Sequence, residues 1–418
     1  MSNKKRAVLF VGYHYLSTPV YEALRDQLKD YELIYLNTKD TIGHDTNKIF
    51  FKNNKFDDNY NYHEMEYEPL WNRGRPINTI KSRFIRFIKR YSFILSFPIY
   101  KKKILNFVKS FKPDLFIITT DMFITPRYLA DELPDIPLFL IQPCYLDLWE
   151  RPYLNKFSKK LVNIFSPKFF ERQQYFGFEI IRAKLLIWEI SSFNIYKDKG
   201  RNPILISNPN HIQLKSSSKY FRSFKQQILK EINFKNTNKK TISFYTAFYG
   251  DVVNHGYKYQ EHLENSLINV IERIKNFYNI IIKIHPNEDL NYWNNIFKDV
   301  IDKDTKIIKN HGHKFKLMAA SDIMIATNSY ASVEATLLGL FTINFVPGIE
   351  TIGEKFCSEF NNNCMMTSYG IDNLCEYLIK ISDEDLNYKD DLLGIQQSII
   401  GVENRQTVEE VINEYMEI

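Results

Sequence analysis

The stretch SDIMIATNSYASVEATLLGLFTINF, residues 321–345, predicts a strand, a polar turn, a helix and a second strand. Its apolar run at 323–326 is typical of a strand buried in a parallel sheet. Three turn-forming residues follow at once: Thr327, Asn328 and Ser329. This arrangement presents hydroxyl groups and free backbone N–H groups at a helix N-terminus, where the helix dipole favours an anion. The stretch therefore predicts either an ordinary capped helix or an anion site.

A second polar turn lies one strand–helix unit upstream. The largely apolar run at 279–284 predicts a buried strand, and His285 and Pro286 follow it directly. Open α/β sheets bind ligands at the carboxyl ends of their strands, where His285 would lie. A histidine there can donate a hydrogen bond to a phosphate, and Pro286 cannot extend the strand ladder. A single histidine is more often structural, but its pairing with the serine- and threonine-rich turn favours a phosphate site.

The motifs KIHPNED (283–289) and TNSYASVEATLLG (327–339) together resemble those of bacterial glycosyltransferases with the GT-B fold. That group includes the Kdo transferases of capsule assembly and the polysialyltransferases. In these enzymes a His-Pro motif and a later serine motif hold the phosphate and ribose of a CMP-activated sugar. The resemblance covers residues 240–350. It implies that the nucleotide is bound by His285, Pro286, Asn328, Ser329, Ser332 and Glu334.

Related motifs leave the donor open. Enzymes that use UDP-sugars, including the non-hydrolysing 2-epimerases, carry similar His-Pro and small-residue motifs. Teichoic-acid polymerases share the fold, have a His-Pro-like motif and take CDP-glycerol. The favoured donor is a CMP-activated acidic sugar, with UDP-sugar transfer, 2-epimerisation and CDP-glycerol transfer as alternatives. A basic nucleic-acid-binding protein without enzymatic activity is the alternative outside this group.

Two series of alternating strands and helices, separated by a polar segment, predict an α/β protein with two Rossmann-like domains. Resemblance to the GT-B group implies that the domains face each other across a cleft and that the last helix crosses back. Residues 151–200 are predicted to be helical. The N-terminal acceptor domain is predicted at residues 1–210, followed by a connection with one helix at 211–240. The C-terminal nucleotide-sugar domain is predicted at 241–400 and the returning helix at 401–418.

Inverting transfer also needs a general base in the acceptor domain. His14 follows the first predicted strand, which is where many inverting GT-B enzymes place their base. Asp121 and Asp147 follow other strand ends and are alternatives. A histidine and helix N-termini can offset the charge of the leaving phosphate. We therefore expect neither a metal nor a bound cofactor, and the nucleotide sugar is a substrate.

The composition suits a globular protein of two domains. The chain has 418 residues, of which 44% are hydrophobic and 25% charged, and its formal net charge is +6. This mild charge permits an anionic partner but does not require nucleic acid, and no nucleic-acid partner is expected. The cysteines lack metal-ligand spacing, which indicates free thiols in a reducing compartment. They are Cys144, Cys357, Cys364 and Cys375.

The N-terminal sequence MSNKKRAVLF lacks the features of a secretory signal, and no apolar run approaches the length of a membrane span. We therefore expect a cytoplasmic protein. Residues 79–113 nevertheless carry Lys, Arg and aromatic residues and no Asp or Glu, and residues 155–170 are similar. Such segments lie either on the anionic inner membrane surface or in the core with a solvated basic face. The first alternative predicts peripheral membrane association and a lipid-linked or growing glycan as acceptor.

Overall fold

Two parallel sheets organise the part of the chain that the computed structural model describes. The described residues are 4–10, 14–37, 61–64, 101–119, 124–142, 182–246, 256–285, 288–309, 314–327, 329–348, 366–383 and 405–417. The chain divides into two compact units. Unit 1 comprises Met1–Asn210 and Arg405–Ile418, and unit 2 comprises His211–Asn404.

The sheet of unit 1 is entirely parallel, and its strand order is β3-β2-β1-β4-β5-β6-β7. Short apolar runs form its centre, and all four residues of β4 (LFII) and of β5 (LFLI) are buried. Near-continuous apolar runs are expected where helices cover both faces of a parallel sheet. The strands are β1 Lys5–Phe10, β2 Tyr31–Asn37, β3 Asn61–Glu64, β4 Leu115–Ile118, β5 Leu138–Ile141, β6 Lys184–Ile187 and β7 Ile204–Leu205.

Helices connect these strands. The strand order reverses between β1 and β4, which is the switch point of a doubly wound sheet. Tyr21, on the helix after β1, donates a hydrogen bond to Phe10 O at the end of β1, at 2.8 Å. The labelled helices are α1 His14–Gln27, α2 Ile124–Glu132 and α3 Ile190–Asp198, and residues 101–110 are also helical.

The sheet of unit 2 is also parallel, in the order β10-β9-β8-β11-β12-β13. Numbered within the unit, this is the order 3-2-1-4-5-6 of the Rossmann fold. Every residue of β11 (IMIA) and β12 (FTINF) is buried, including the polar Thr342 and Asn344 of β12. The strands are β8 Thr241–Tyr245, β9 Asn279–Lys283, β10 Thr305–Ile308, β11 Ile323–Ala326, β12 Phe341–Phe345 and β13 Met366–Ser368.

The helices of unit 2 begin at the boundary with unit 1. Residues 211–240, predicted to connect the domains, contribute Ile228 and Leu229 to a buried cluster that includes Ile281 of β9. Gly339 has a φ of 80°, which suits a glycine directly after a helix. The helices are α4 Pro209–Ser223, α5 Lys225–Glu231, α6 Gly256–Ile274, α7 Leu290–Ile296, α8 Lys314–Ala319, α9 Tyr330–Leu337 and α10 Ile371–Asp383.

The last helix, α11 (Val408–Glu417), belongs to unit 1. Asn413 of α11 accepts a hydrogen bond from the Tyr31 hydroxyl at 2.8 Å, and the Tyr415 ring lies edge-on to Phe139 with centroids 5.6 Å apart. The chain therefore crosses back to its first unit. The predicted α/β fold with two Rossmann-like domains is confirmed.

One predicted element is wrong and one is displaced. Residues 184–187 form β6, although 151–200 were predicted to be helical. The run KLLI is short and mostly apolar, and it is a strand because it pairs with β5 and β7 on its two sides. Periodicity alone cannot distinguish such a run from a buried helix segment. The sequence also predicts a helix at 18–28, with Pro19 in its first turn, whereas α1 begins four residues earlier, at His14.

The described part of the basic segment is a core helix. Ile104 and Val108 are buried in the apolar cluster of unit 1. The lysines of this helix, in contrast, are exposed: Lys101, Lys102, Lys103 and Lys109. Residues 79–100 and 155–170 lie outside the described residues. At 101–110 the structure thus matches the core alternative, with a solvated basic face.

Two kinds of feature are absent from the described residues. No helix within them is long and apolar enough to cross a membrane. They also contain no group of three or more His, Cys, Asp or Glu side chains placed to hold a metal ion.

Candidate functional site

The candidate site lies at the carboxyl edge of the unit 2 sheet. The strand order reverses between β8 and β11, and open α/β sheets bind ligands at this switch point. Thr246 follows β8 and Thr327 follows β11. His285 comes two residues after the end of β9, the strand next to β8. The strand order therefore brings the two predicted phosphate motifs to the same edge, although they lie far apart in the chain.

Ser329 and Ser332 line the N-terminus of α9. Ser329 is the N-cap residue: its φ of −105° and ψ of 134° are extended, and its hydroxyl accepts a hydrogen bond from Ala331 N at 3.3 Å. Its O–H remains a potential donor. The Ser332 side chain is 1% exposed, and its Oγ has no hydrogen-bond partner among the described residues. A buried hydroxyl without a partner is unusual, so Ser332 is a candidate ligand contact.

The backbone of His285 is held by two side chains. Its N–H donates to Glu288 Oε2 at 2.6 Å and to Thr246 Oγ1 at 3.0 Å. Thr246 Oγ1 itself donates to the same Glu288 oxygen, and Glu288 N donates to His285 O at 2.9 Å. Residues that follow β8 and β9 thus fix the position of His285. Sequence reasoning did not identify Thr246 or Glu288 as part of this site.

A second buried carboxylate lies close to Glu288. Burial is the main cause that raises the pKa of Glu288, and the nearby Glu264 raises it further, while the hydrogen bonds from Thr246 and His285 oppose the shift. Glu264 accepts a hydrogen bond from the Tyr292 hydroxyl at 3.0 Å. Burial and Glu264 raise the pKa of Tyr292 to about 12. Burial is also the main cause that raises the pKa of Glu264, so both carboxylates resist ionisation chiefly because they are desolvated.

Glu334, predicted to bind the nucleotide, forms an ion pair in this structure. Lys314 Nζ lies 2.7 Å from Glu334 Oε1 and 2.6 Å from Oε2. The glutamate side chain is 1% exposed, whereas half of the lysine side chain is exposed. Burial of a carboxylate is costly unless a cation pairs with it. Lys314, which sequence reasoning did not identify, is therefore required next to Glu334.

Sequence reasoning also overlooked Lys283, the last residue of β9. Lys283 precedes His285 by two residues at the carboxyl end of β9. The ammonium group of Lys283 donates to Ile284 O at 2.7 Å. The spacing of Lys283 and His285 in the sequence was the signal that could have identified it.

The remaining predicted residues are not all described. Pro286, Asn328, Asp121 and Asp147 lie outside the described residues. His14 is the first residue of α1, and its side chain is also outside the described part. The structure thus places four of the six predicted nucleotide-binding residues at one sheet edge: His285, Ser329, Ser332 and Glu334. The assignment of the general base stays a prediction.

Comparison with solved structures defines the class of fold. The UDP-GlcNAc 2-epimerase from Neisseria meningitidis aligns over 99% of this chain and 100% of its own, with a TM-score of 0.58 and 12% identity. A glycosyltransferase from Rickettsia africae aligns over 99% and 97%, with a TM-score of 0.57 and 12% identity. The wall teichoic acid polymerase TagF aligns over 99% and 89%, with a TM-score of 0.51 and 12% identity. The chain shares the GT-B fold of these proteins.

A family assignment follows from the sequence. Residues 183–411 match the family described as "Protein of unknown function (DUF354)", and because the match covers more than half of the chain, the protein belongs to this family. No curated protein matches the chain.

Proposed function

We propose that the protein is a glycosyltransferase that uses a nucleotide sugar. The observation that carries this proposal is a convergence at the switch point of unit 2. It brings together the capped N-terminus of α9, the fixed backbone of His285 and the Ser332 hydroxyl, which has no hydrogen-bond partner among the described residues. Hydroxyl groups, an imidazole and a helix N-terminus are suited to phosphate oxygens. In this proposal His285, Ser329 and Ser332 contact the donor phosphate, and Glu334 contacts the ribose.

The donor we favour is a CMP-activated acidic sugar such as Kdo or a sialic-acid relative. Its support is the resemblance of the His-Pro and serine motifs to the Kdo transferases and polysialyltransferases. The acceptor is a hydroxyl group of a surface glycan, and the reaction inverts the anomeric centre. Residues rather than a metal offset the charge of the leaving phosphate, so activity should persist in EDTA.

A second candidate function is 2-epimerisation of a UDP-sugar, or transfer from a UDP-sugar. It is favoured by the similarity to the Neisseria meningitidis epimerase, whose structure contains UDP-GlcNAc. Transfer from CDP-glycerol is a third candidate, favoured by the similarity to the TagF polymerase. An epimerase converts its substrate without an acceptor, whereas a transferase requires one.

Calorimetry with CMP, UDP and CDP tests the proposal and ranks the candidates. We expect one cytidine or uridine nucleotide to bind with a Kd in the micromolar range, about −8 kcal/mol. The preferred nucleotide then selects the donors to be assayed with and without a glycan acceptor. Product that forms without acceptor would favour the epimerase. The absence of binding by all three nucleotides at millimolar concentration, or their displacement by DNA, would contradict the proposal.

We also propose that the acceptor is reached at an anionic membrane surface. The described lysines of residues 101–110 are exposed while the apolar side of that helix is buried, so the attraction there is electrostatic. Each such charge contributes about 1 kcal/mol near an anionic surface, and salt screens it. Vesicles with anionic lipid should therefore sediment the protein at low salt, and reversal of five charges within 79–113 should release it. Failure of the wild type to sediment would contradict the proposal.

A further inference from the structure

Three lysines gather at the carboxyl ends of β9 and β10. Lys283 ends β9 and lies opposite Ile308 in the parallel ladder, and Lys309 is the next residue. Neighbouring strands are about 4.8 Å apart, so the backbones of Lys283 and Lys309 are close. The ladder continues past the strand end, because Ile284 N donates to Ile308 O at 3.0 Å. Lys314 starts α8, the helix that follows β10.

Salt bridges within the described residues neutralise only one of these three lysines. Lys314 pairs with Glu334, but neither Lys283 nor Lys309 has a carboxylate within salt-bridge distance there. Burial lowers the pKa of Lys283 to about 8, with smaller contributions in the same direction from Lys314 and Lys309 and an opposing one from Glu288. A half-buried ammonium that faces two further cations is stabilised by a bound anion.

We propose that Lys283 and Lys309 form a subsite for a second anionic group of the donor, beyond the nucleoside phosphate held at α9. This inference rests on the proposed function, and it adds a property that the His-Pro and serine motifs do not specify. The ligand is a singly or doubly charged oxyanion attached to a nucleoside monophosphate. Two sources supply that chemistry: the second phosphate of a nucleoside diphosphate sugar, or the carboxylate of an acidic sugar on CMP.

The subsite makes donor binding dependent on pH. Lys283 must be protonated to attract the anion, so the additional affinity should be present below about pH 8 and decline above it. The groups that face Lys283 are Lys314, Glu288 and Lys309. An anion that binds there raises the pKa of Lys283, and proton uptake should therefore accompany binding near pH 8.

The subsite is tested by measuring binding affinities of the wild type, Lys283→Met and Lys309→Gln. The ligands are CMP, CDP, UMP, UDP and CMP-N-acetylneuraminate. We expect either the diphosphates or the acidic-sugar nucleotide to bind the wild type more tightly than the monophosphate. Each variant should bind that ligand with an affinity lower by about tenfold or more, because a charge-assisted contact is lost. Binding of CMP or UMP should stay within about twofold of wild type. If the variants lose affinity for the diphosphates, the anion in the subsite is the second phosphate. If they lose affinity for the acidic-sugar nucleotide, the anion is the carboxylate.

Lys303→Gln is the matched control. Lys303 is exposed and precedes β10, so it flanks the same strand at the opposite edge of the sheet. It should behave as wild type, and thermal unfolding should verify that Lys283→Met is folded. An unchanged preference in both variants, an equal loss for the monophosphates, or no preference in the wild type would overturn the subsite.

Inorganic pyrophosphate separates this inference from the proposed function. NMR of ¹³C-methylated lysines reports whether pyrophosphate raises the pKa of Lys283. If pyrophosphate binds and Lys283→Met abolishes binding while no nucleotide binds, the subsite stands and the proposed function fails. If nucleotides bind and the lysine variants leave every affinity unchanged, the function stands and the subsite fails. Binding of neither class by the wild type would refute both.

Discussion

Replacement of His285 by alanine is expected to lower glycosyl transfer by about 10²–10³-fold, the loss that follows removal of one preorganised donor to a developing charge. The backbone of His285 is held by Thr246 and Glu288, and neither contact involves the imidazole. The substitution should therefore remove the phosphate contact and leave the end of β9 in place. Turnover at saturating donor, measured with thermal unfolding, separates the loss of chemistry from a loss of fold.

His63→Ala is a suitable control for this experiment. His63 lies in β3 of unit 1, outside the candidate nucleotide site, and its ring nitrogen lies 2.6 Å from Asn61 Oδ1. This variant should retain nucleotide affinity and turnover. Near-normal turnover of His285→Ala at saturating donor would remove His285 from the site, and it would leave the serines of α9 as the phosphate contacts to be tested next.

Replacement of His14 by alanine is expected to lower turnover by about 10²–10⁴-fold, which is the usual contribution of a general base. The proposed nucleotide site lies in unit 2 and His14 belongs to unit 1, so we expect nucleotide affinity not to change. A neutral imidazole accepts the proton of the acceptor hydroxyl, and turnover of the wild type should therefore fall at acidic pH, where an imidazole is protonated. This acidic limb of the pH profile should be absent in His14→Ala.

Asp121→Asn and Asp147→Asn provide the matched comparison. Each removes one alternative base and keeps the size of the side chain. If the large loss and the altered pH profile occur in either of these variants and not in His14→Ala, the base assignment is wrong. The proposed transferase function would then remain, with an aspartate as its base.

Much of unit 2 followed from local sequence patterns. The apolar runs at 279–284 and 323–326 were predicted as buried strands, and the structure has β9 at Asn279–Lys283 and β11 at Ile323–Ala326. They were predictable because a strand covered on both faces is a short apolar run that ends at polar or turn-forming residues. The strand β6 was not predictable in this way, because nothing in its four residues distinguishes a strand from part of a buried helix.

The contacts of the candidate site depend on longer distances in the chain. Thr246 and Glu288 are separated by 42 positions, and Lys314 and Glu334 by 20. Such pairs form only when the strand order β10-β9-β8-β11 is established, and no periodic pattern encodes that order. The raised pKa of Glu288 and the lowered pKa of Lys283 have the same origin, since burial is their main cause and arises from packing.

The sequence by itself determined that two polar turns, around His285 and around Ser329 and both predicted to bind phosphate, each follow a buried strand. It could do so because apolar periodicity, N-cap residues and the position of Gly339 act within a few residues. Only the tertiary structure decided that these motifs share one edge and that Lys283 and Lys309 stand beside them. Strand pairing sets those neighbours, and it depends on contacts between segments that are remote in the sequence.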